Sequence, residues 1–279
     1  MRSSQGAVAV AIITGATRGI GLALAERLLA EGMIVYAVGA NEARVAELPQ
    51  RLPHPRLHAR RVDVADPSAL EALLAEVESA HGRLDWMVNN AGVLAGGELA
   101  DMSQAQMERL VDVNLWGVIH GSRLAAARMR RQGSGHIVNV ASMAGVFPVP
   151  FSAVYTATKH AVYGFSLALR EELRPHGVSA HVVCPDIVDT GIFDRSDDNA
   201  DYSYRNAIDR FRWRTITVDK AARCIVAGVH KDRAVIYAPG FSGALGLLGK
   251  LFPSFTAHQV AALMAPRIGN GQGDRKVGP

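Results

Sequence analysis

Cysteine is scarce: only Cys184 and Cys224 occur in 279 residues. They fit neither a zinc spacing nor a disulfide framework, and such usage implies a reducing cytoplasm. The ten histidines are scattered without an HExxH pair or another ligand spacing, which argues against a metal. An excess of one charge is also lacking. Thirty Lys and Arg against 26 Asp and Glu leave a formal +4, too mild to imply a nucleic-acid partner. The densest basic group, Arg128, Arg130 and Arg131, falls where a helix should end and where cations complement its dipole. No apolar run approaches the roughly 20 residues that cross a bilayer. The opening MRSSQGAVAVAII starts like a signal peptide but runs into TGATRGIG without a small-residue cleavage site, and so reads as a buried strand.

What is present is the composition of a folded chain, 49% hydrophobic and 20% charged. Short Val- and Ile-rich runs near 7–14, 33–38, 57–62, 84–89, 136–141, 178–184 and 234–237 alternate with amphipathic stretches near 19–31, 41–48, 67–80, 103–131, 153–174 and 217–230. That rhythm predicts one α/β domain over residues 1–265, a doubly wound parallel sheet of about seven strands with helices on both faces. Ligands of such sheets bind beyond the carboxyl ends of the strands. Two stretches break the rhythm. Residues 186–216 form a polar and aromatic insertion of the size used for lids, and residues 239–265 are Gly-rich and apolar. Residues 266–279 lack apolar periodicity and read as a frayed tail.

The strand-to-helix junctions carry the chemistry. TGATRGIG places Gly15, Gly19 and Gly21 where a chain turns tightly and a pyrophosphate can meet a helix N-terminus, although the spacing is GxxxGxG and not GxGxxG. After the second strand, where a ribose-binding acid is expected, stand Gly39 and Ala40. With no carboxylate there and Arg18 in the loop, the cofactor expectation is NADP(H). NAD(H) is the alternative, with Glu42 as its ribose ligand. Asp63 ends the third strand and suits either an adenine amino group or a helix cap. The fourth strand runs into NNAG (89–92), Asn114 lies inside a helix where an Asn costs stability, and the fifth and sixth strands end in NVAS and VVCPDIVDT. Tyr155 and Lys159, four apart on one helix, share a face, so the ammonium could favour the phenolate. Taken alone, the pair reads as exposed surface residues, since a Tyr and a Lys at this spacing occur by chance in many helices.

Together TGATRGIG, NNAG, NVAS and YTATK, in this order, resemble the short-chain dehydrogenases/reductases in their compact one-domain form, over about residues 7–240. The resemblance implies an oxidoreductase interconverting a secondary alcohol and a carbonyl compound. Tyr155 would be its acid or base, Lys159 would support the phenolate and hold the nicotinamide ribose, and Ser142 would bond the substrate oxygen. Asn114 would tether a water chain from Lys159 to solvent. Gly15, Arg18, Gly19, Ile20, Gly39, Asp63, Val64, Asn90, Ala91, Gly92, Pro185 and Thr190 would line the cofactor site with Tyr155 and Lys159. The family's usual Pro-Gly is here Pro185-Asp186, and the added carboxylate is expected to point outward.

Phe147, Val149 and Phe151, with Ile192, Phe193, Tyr202 and Tyr204 of the insertion, suggest an apolar or bulky small-molecule substrate; the competing reading is that they pack the loops. Phe147, Phe151 and Phe193 are the candidate substrate contacts beside Ser142 and Tyr155. A homodimer or homotetramer through the helices near 103–131 and 153–174 follows from the resemblance. The rival function is a nucleotide-sensing protein without turnover, which intact Ser142, Tyr155 and Lys159 argue against. Segment 241–265 reads as an oligomer contact or pocket wall in preference to a membrane-surface helix, because its glycines and Pro253 break a continuous one.

Overall fold

The computed structural model describes residues 8–188, 190–198, 202–209 and 215–264; the expected tail, 266–279, lies outside the described residues. Its strands are β1 (Val10–Thr14), β2 (Ile34–Gly39), β3 (Leu57–Arg61), β4 (Trp86–Asn89), β5 (Gly135–Val140), β6 (Val178–Pro185) and β7 (Val235–Ala238). They form one parallel sheet in the order β3-β2-β1-β4-β5-β6-β7, matching the seven expected runs. A parallel sheet covered on both faces needs strands that are apolar on both sides, and every residue of β1 is buried. Helices α1 (Gly19–Ala30), α2 (Glu42–Arg51) and α8 (Val218–His230) cover one face through Leu24, Leu28, Leu48 and Ile225. On the other face, α3 (Pro67–His81), α5 (Gly117–Gln132) and α6 (Ala153–Leu173) bury Leu70, Leu74, Leu124, Met129, Leu169 and Leu173. The chain builds outward from β1 to β3 and then crosses to β4, so the crevice at the carboxyl ends of β1 and β4 is the topological switch point.

Three departures from the expected elements matter for function. The long helix expected over 103–131 is α4 (Gln104–Val111), a π-helical turn at Asp112–Trp116 and then α5. Within 186–216, an isolated bridge joins Val188 to Ile216 and a short helix, α7, covers Tyr204–Asp209. The Gly-rich segment folds into two helices, α9 (Ser242–Leu251) and α10 (Pro253–Met264). Pro253 breaks the helix as expected, but it also starts the second one, where its missing N–H costs nothing.

The basic cluster at the end of α5 is spent structurally: Arg128 pairs with Glu71 and Glu78 of α3, and Arg131 with Glu78. Cys184 and Cys224 are both free thiols. Among the described residues, no helix is long and apolar enough to cross a membrane.

Candidate active site

A continuous cleft of about 630 Å³ runs across the carboxyl edge of the sheet. Behind its lining, Thr14, the buried last residue of β1, ties the strand ends together. The Thr14 hydroxyl donates to Val88 O (3.3 Å) and accepts from the backbone N–H of Asn90 and Ala91 (3.0 Å each). The Asn90 amide donates to Thr14 O (2.9 Å) and Gly15 O (3.2 Å), so NNAG laces β4 to the glycine loop. Thr14 was missed from sequence, although a hydroxyl closing a buried strand was its signal. Gly19 has φ +57, and a Cβ there would lie 2.9 Å from Thr190 Cβ. Only glycine combines that turn with that approach, which keeps the positive end of α1 open to the cleft. This cradle fits a pyrophosphate.

At the end beside β2 and α2 the cleft is walled by Arg18, Gly39, Ala40, Asn41 and Arg44. Asn41 caps α2 by accepting from Arg44 N (3.0 Å). Glu42, the alternative ribose ligand, is not among the lining residues, whereas two guanidinium groups are. Asp63 lines the same end; its carboxylate accepts from Ala65 N (3.1 Å) and from Arg109 (3.2 Å). It is not a helix cap, because Asp66 caps α3. Ile20, Val64, Ala91, Gly92, Pro185 and Thr190 complete the walls. Arg44 and Arg109 were missed because both sit on helices whose charged positions look solvent-facing in sequence.

Ser142 follows β5, while Tyr155 and Lys159 stand on the first two turns of α6, and all three line the cleft. Lys159 is only 4% exposed; its ammonium donates to Val140 O (3.0 Å) and lies 5.6 Å from the centre of the Tyr155 ring. Burial pushes the Tyr155 phenol up to about 12, against a lowering hydrogen bond with Ser142. Burial also brings Lys159 down to about 8, partly opposed by Cys184. In both groups loss of water penalises the charged form, which opposes the phenolate-favouring effect expected of the Lys159 ammonium.

Asn114 does not line the cleft. It is fully buried in the π-helical turn, its side chain accepting from Val93 N and donating to Val93 O, both at 2.9 Å. A Cβ on Gly92 would lie 3.3 Å from Asn114 Oδ1 and 3.7 Å from Lys159 Nζ, so the two side chains flank one point that glycine leaves clear. A π turn in a helix often accompanies such a site.

Beyond Tyr155 the cleft becomes apolar. Phe147, Val149, Ile192, Phe193, Tyr204 and Ile208 line it. Phe151 does not: it takes φ +59 and stacks on buried Tyr202 at 5.4 Å, which makes it a loop-packing residue and corrects its place among the substrate contacts. Phe193 and Tyr204 do both jobs, stacking on each other at 5.7 Å while facing the cleft. The rest of this wall, Leu245, Leu248, Phe255, Val260, Leu263 and Met264, comes from α9 and α10. Asp186 also lines the cleft and does not point away from the protein. Its carboxylate accepts from Ile187 N (3.0 Å) and from the fully buried Ser242 hydroxyl (2.7 Å), because α9 starts directly above the end of β6.

Comparison with known proteins agrees with this geometry. The model of the short chain dehydrogenase family matches residues 9–201. A putative ketoacyl reductase of the monensin polyketide synthase from Streptomyces virginiae is 38% identical over 196 residues, covering 69% of this chain and 75% of that protein. A short-chain dehydrogenase/reductase from Burkholderia phymatum, solved with NAD, superposes with a TM-score of 0.80 at 30% identity over 90% of this chain and 95% of that one. A variant of actinorhodin polyketide ketoreductase, solved with NADPH, gives 0.74 at 31% identity, over 82% and 95%. The chain therefore belongs to the short-chain dehydrogenase/reductase family, NAD(P)-dependent oxidoreductases that act on CH–OH groups.

Proposed function

We propose that this protein is an NADP(H)-preferring reductase of an apolar or bulky ketone, with Ser142, Tyr155, Lys159 and Asn114 as its working set. One observation carries the reading. The Tyr155 phenol, beside Ser142 and 5.6 Å from the Lys159 ammonium across its ring, stands between a phosphate-sized glycine cradle and an apolar chamber.

A nicotinamide held by the glycine cradle, Tyr155 and Lys159 would supply the hydride that the carbonyl carbon takes up. As the C=O π pair moves onto oxygen, Ser142 donates a hydrogen bond to it and Tyr155 gives up its proton, leaving the alcohol. Lys159 stabilises the resulting phenolate and binds the nicotinamide ribose. Asn114 fixes the Val93 backbone beside Gly92 and so would help shape a water path from Lys159 to solvent that replaces the proton. Arg18 and Arg44 receive the 2′-phosphate. The walls from Phe147 to Tyr204 exclude water around an uncharged substrate. The identity of ketoacyl reductase relatives supports reduction as the working direction. Pairing of subunits over α5 and α6 belongs to the same reading, and there Trp116 stands exposed, stacked on His120.

Calorimetry of NADPH and NADH on wild type, Arg18→Ala and Arg44→Ala tests the cofactor half. NADPH should bind more tightly, and each variant should lose that advantage without weakening NADH. Equal binding of both nucleotides would overturn it. A screen of cyclic, aromatic and long-chain ketones for NADPH consumption tests the substrate half.

A further inference from the structure

Of the ten large apolar residues that stand exposed among the described residues, seven lie between Phe241 and Leu263. They belong to the hairpin of α9 and α10, which is built the opposite way from an ordinary surface helix. The side of α9 that meets the protein is glycine: a Cβ on Gly246 would touch Val146 and Tyr237, and one on Gly249 would lie 2.7 Å from Phe147 Cβ. The outer side carries Leu247, Leu248, Leu251 and Phe252, the last two 64% and 55% exposed. A patch of this kind marks a surface that meets another phase or partner.

We infer that the α9–α10 hairpin is a docking surface for an anionic lipid bilayer, through which an apolar substrate enters the cleft. Two observations select lipid over a second copy of the chain. Leu248, Phe255 and Leu263 are at once exposed and part of the cleft wall, so the patch is the rim of the cleft's own mouth. A protein seated there would stop the mouth, whereas a membrane would feed it. The hairpin also has no Asp or Glu from Ser242 to Met264; its ionisable side chains are Lys250 and His258. Protein interfaces carry a polar rim and hydrogen bonds that set register; the exposed polar side chains here are Ser254, His258, Gln259 and Lys250, whose ammonium lies over the Tyr163 ring and donates to its hydroxyl, while a lipid surface requires no register and favours a face without carboxylates. Helices of 10 and 12 residues are too short to span, so the hairpin lies on the membrane. Substrate delivery rests on the apolar-ketone reading above; membrane binding stands independently of it.

The test is co-sedimentation of the full chain with vesicles of phosphatidylcholine, with and without phosphatidylglycerol. Wild type should partition to vesicles, more strongly with phosphatidylglycerol. A Leu251→Ser, Phe252→Ser double variant, altering exposed residues outside the cleft wall, should lose about tenfold or more of that partitioning while binding NADPH as wild type does. Wild type left in the supernatant with both vesicles, or equal partitioning of the variant, overturns the inference. So does a lipid-free dimer in analytical ultracentrifugation that the double variant dissociates, since the face would then be covered by a second copy. A failed ketone screen alongside lipid binding would remove the substrate reading and leave the docking surface in place.

Discussion

The two ends of the cleft are made by different means. At the nucleotide end the walls are largely backbone: Gly15, Gly19, Gly39, Ala91 and Gly92 are placed by strand ends and hydrogen bonds such as those of Thr14 and Asn90. At the substrate end the walls are side chains from three remote segments, the loop after β5, the 186–216 insertion and the α9–α10 hairpin. Backbone geometry tolerates few residue types and so keeps its motif. A wall of apolar side chains accepts many combinations, provided volume is conserved. In the proposed function the chemistry falls between a backbone-built half that would bind the nucleotide and a side-chain-built half that would choose the substrate.

The largest effect should come from the seam between the halves. Tyr155→Phe removes the proton donor and should lower kcat about a thousandfold while leaving NADPH affinity intact; retained turnover would mean that the acid lies elsewhere. The pH profile of kcat/KM sharpens this. Reduction should stay level through neutral pH, where the phenol is protonated, and fall above about 8 as Lys159 loses its charge.

On the nucleotide side, Asn114→Ala removes both side-chain hydrogen bonds to the part-buried N–H and C=O of Val93. Urea unfolding should show a loss of about 2–4 kcal/mol; a change under 1 kcal/mol, at roughly the value of a surface substitution, would mean that Val93 finds other partners.

The opposite edge of the sheet serves as a control, remote from both halves. His181 is fully buried, 3.1 Å from His136 and 2.8 Å from the Arg233 carbonyl, with Arg170 and Asp232 nearby. Burial pushes it from 6.5 down to about 4, so the unfolded chain binds the extra proton between those values. Its contribution is complete above pH 6.5, declines as pH falls toward 4 and changes no further below. The total is roughly 3 kcal/mol. Unfolding of wild type and His181→Phe at pH 7 and pH 5 measures it: the variant should lack this part of the slope.

The smallest effect tests the side-chain-built half. Ser242→Ala removes the hydrogen bond to Asp186 and should cost about 1–2 kcal/mol, and it should raise KM several-fold with kcat little changed, because it loosens the hairpin over the chamber. An equal fall in kcat and kcat/KM would instead assign Asp186 to the chemical step.

Most of the fold was legible in sequence because a buried parallel strand needs a continuous apolar run and a covering helix needs its stripe. Ser142, Tyr155 and Lys159 stood out only through the family resemblance, since a Tyr and a Lys one turn apart read alone as an exposed pair; the structure buries Lys159 and sets all three on one cleft. Arg44, Arg109 and Thr14 were not legible, since a polar residue on a helix or at a strand end does not show which side of the sheet edge it faces. Phe151 was misplaced because its left-handed backbone turns the ring to Tyr202. The α9–α10 wall was only half visible: the glycines that break a helix by propensity are also what let this one approach Phe147 so closely.

The sequence by itself determined the strand order's raw material, the glycine cradle and the spacing of the reacting groups, all properties of neighbours along the chain. Only the tertiary structure decided the burial of Tyr155 and Lys159, the tie between Asp186 and Ser242 and the greasy rim of the cleft. Each of these depends on how much water remains around a group once distant segments have closed over it, and no local pattern encodes that quantity.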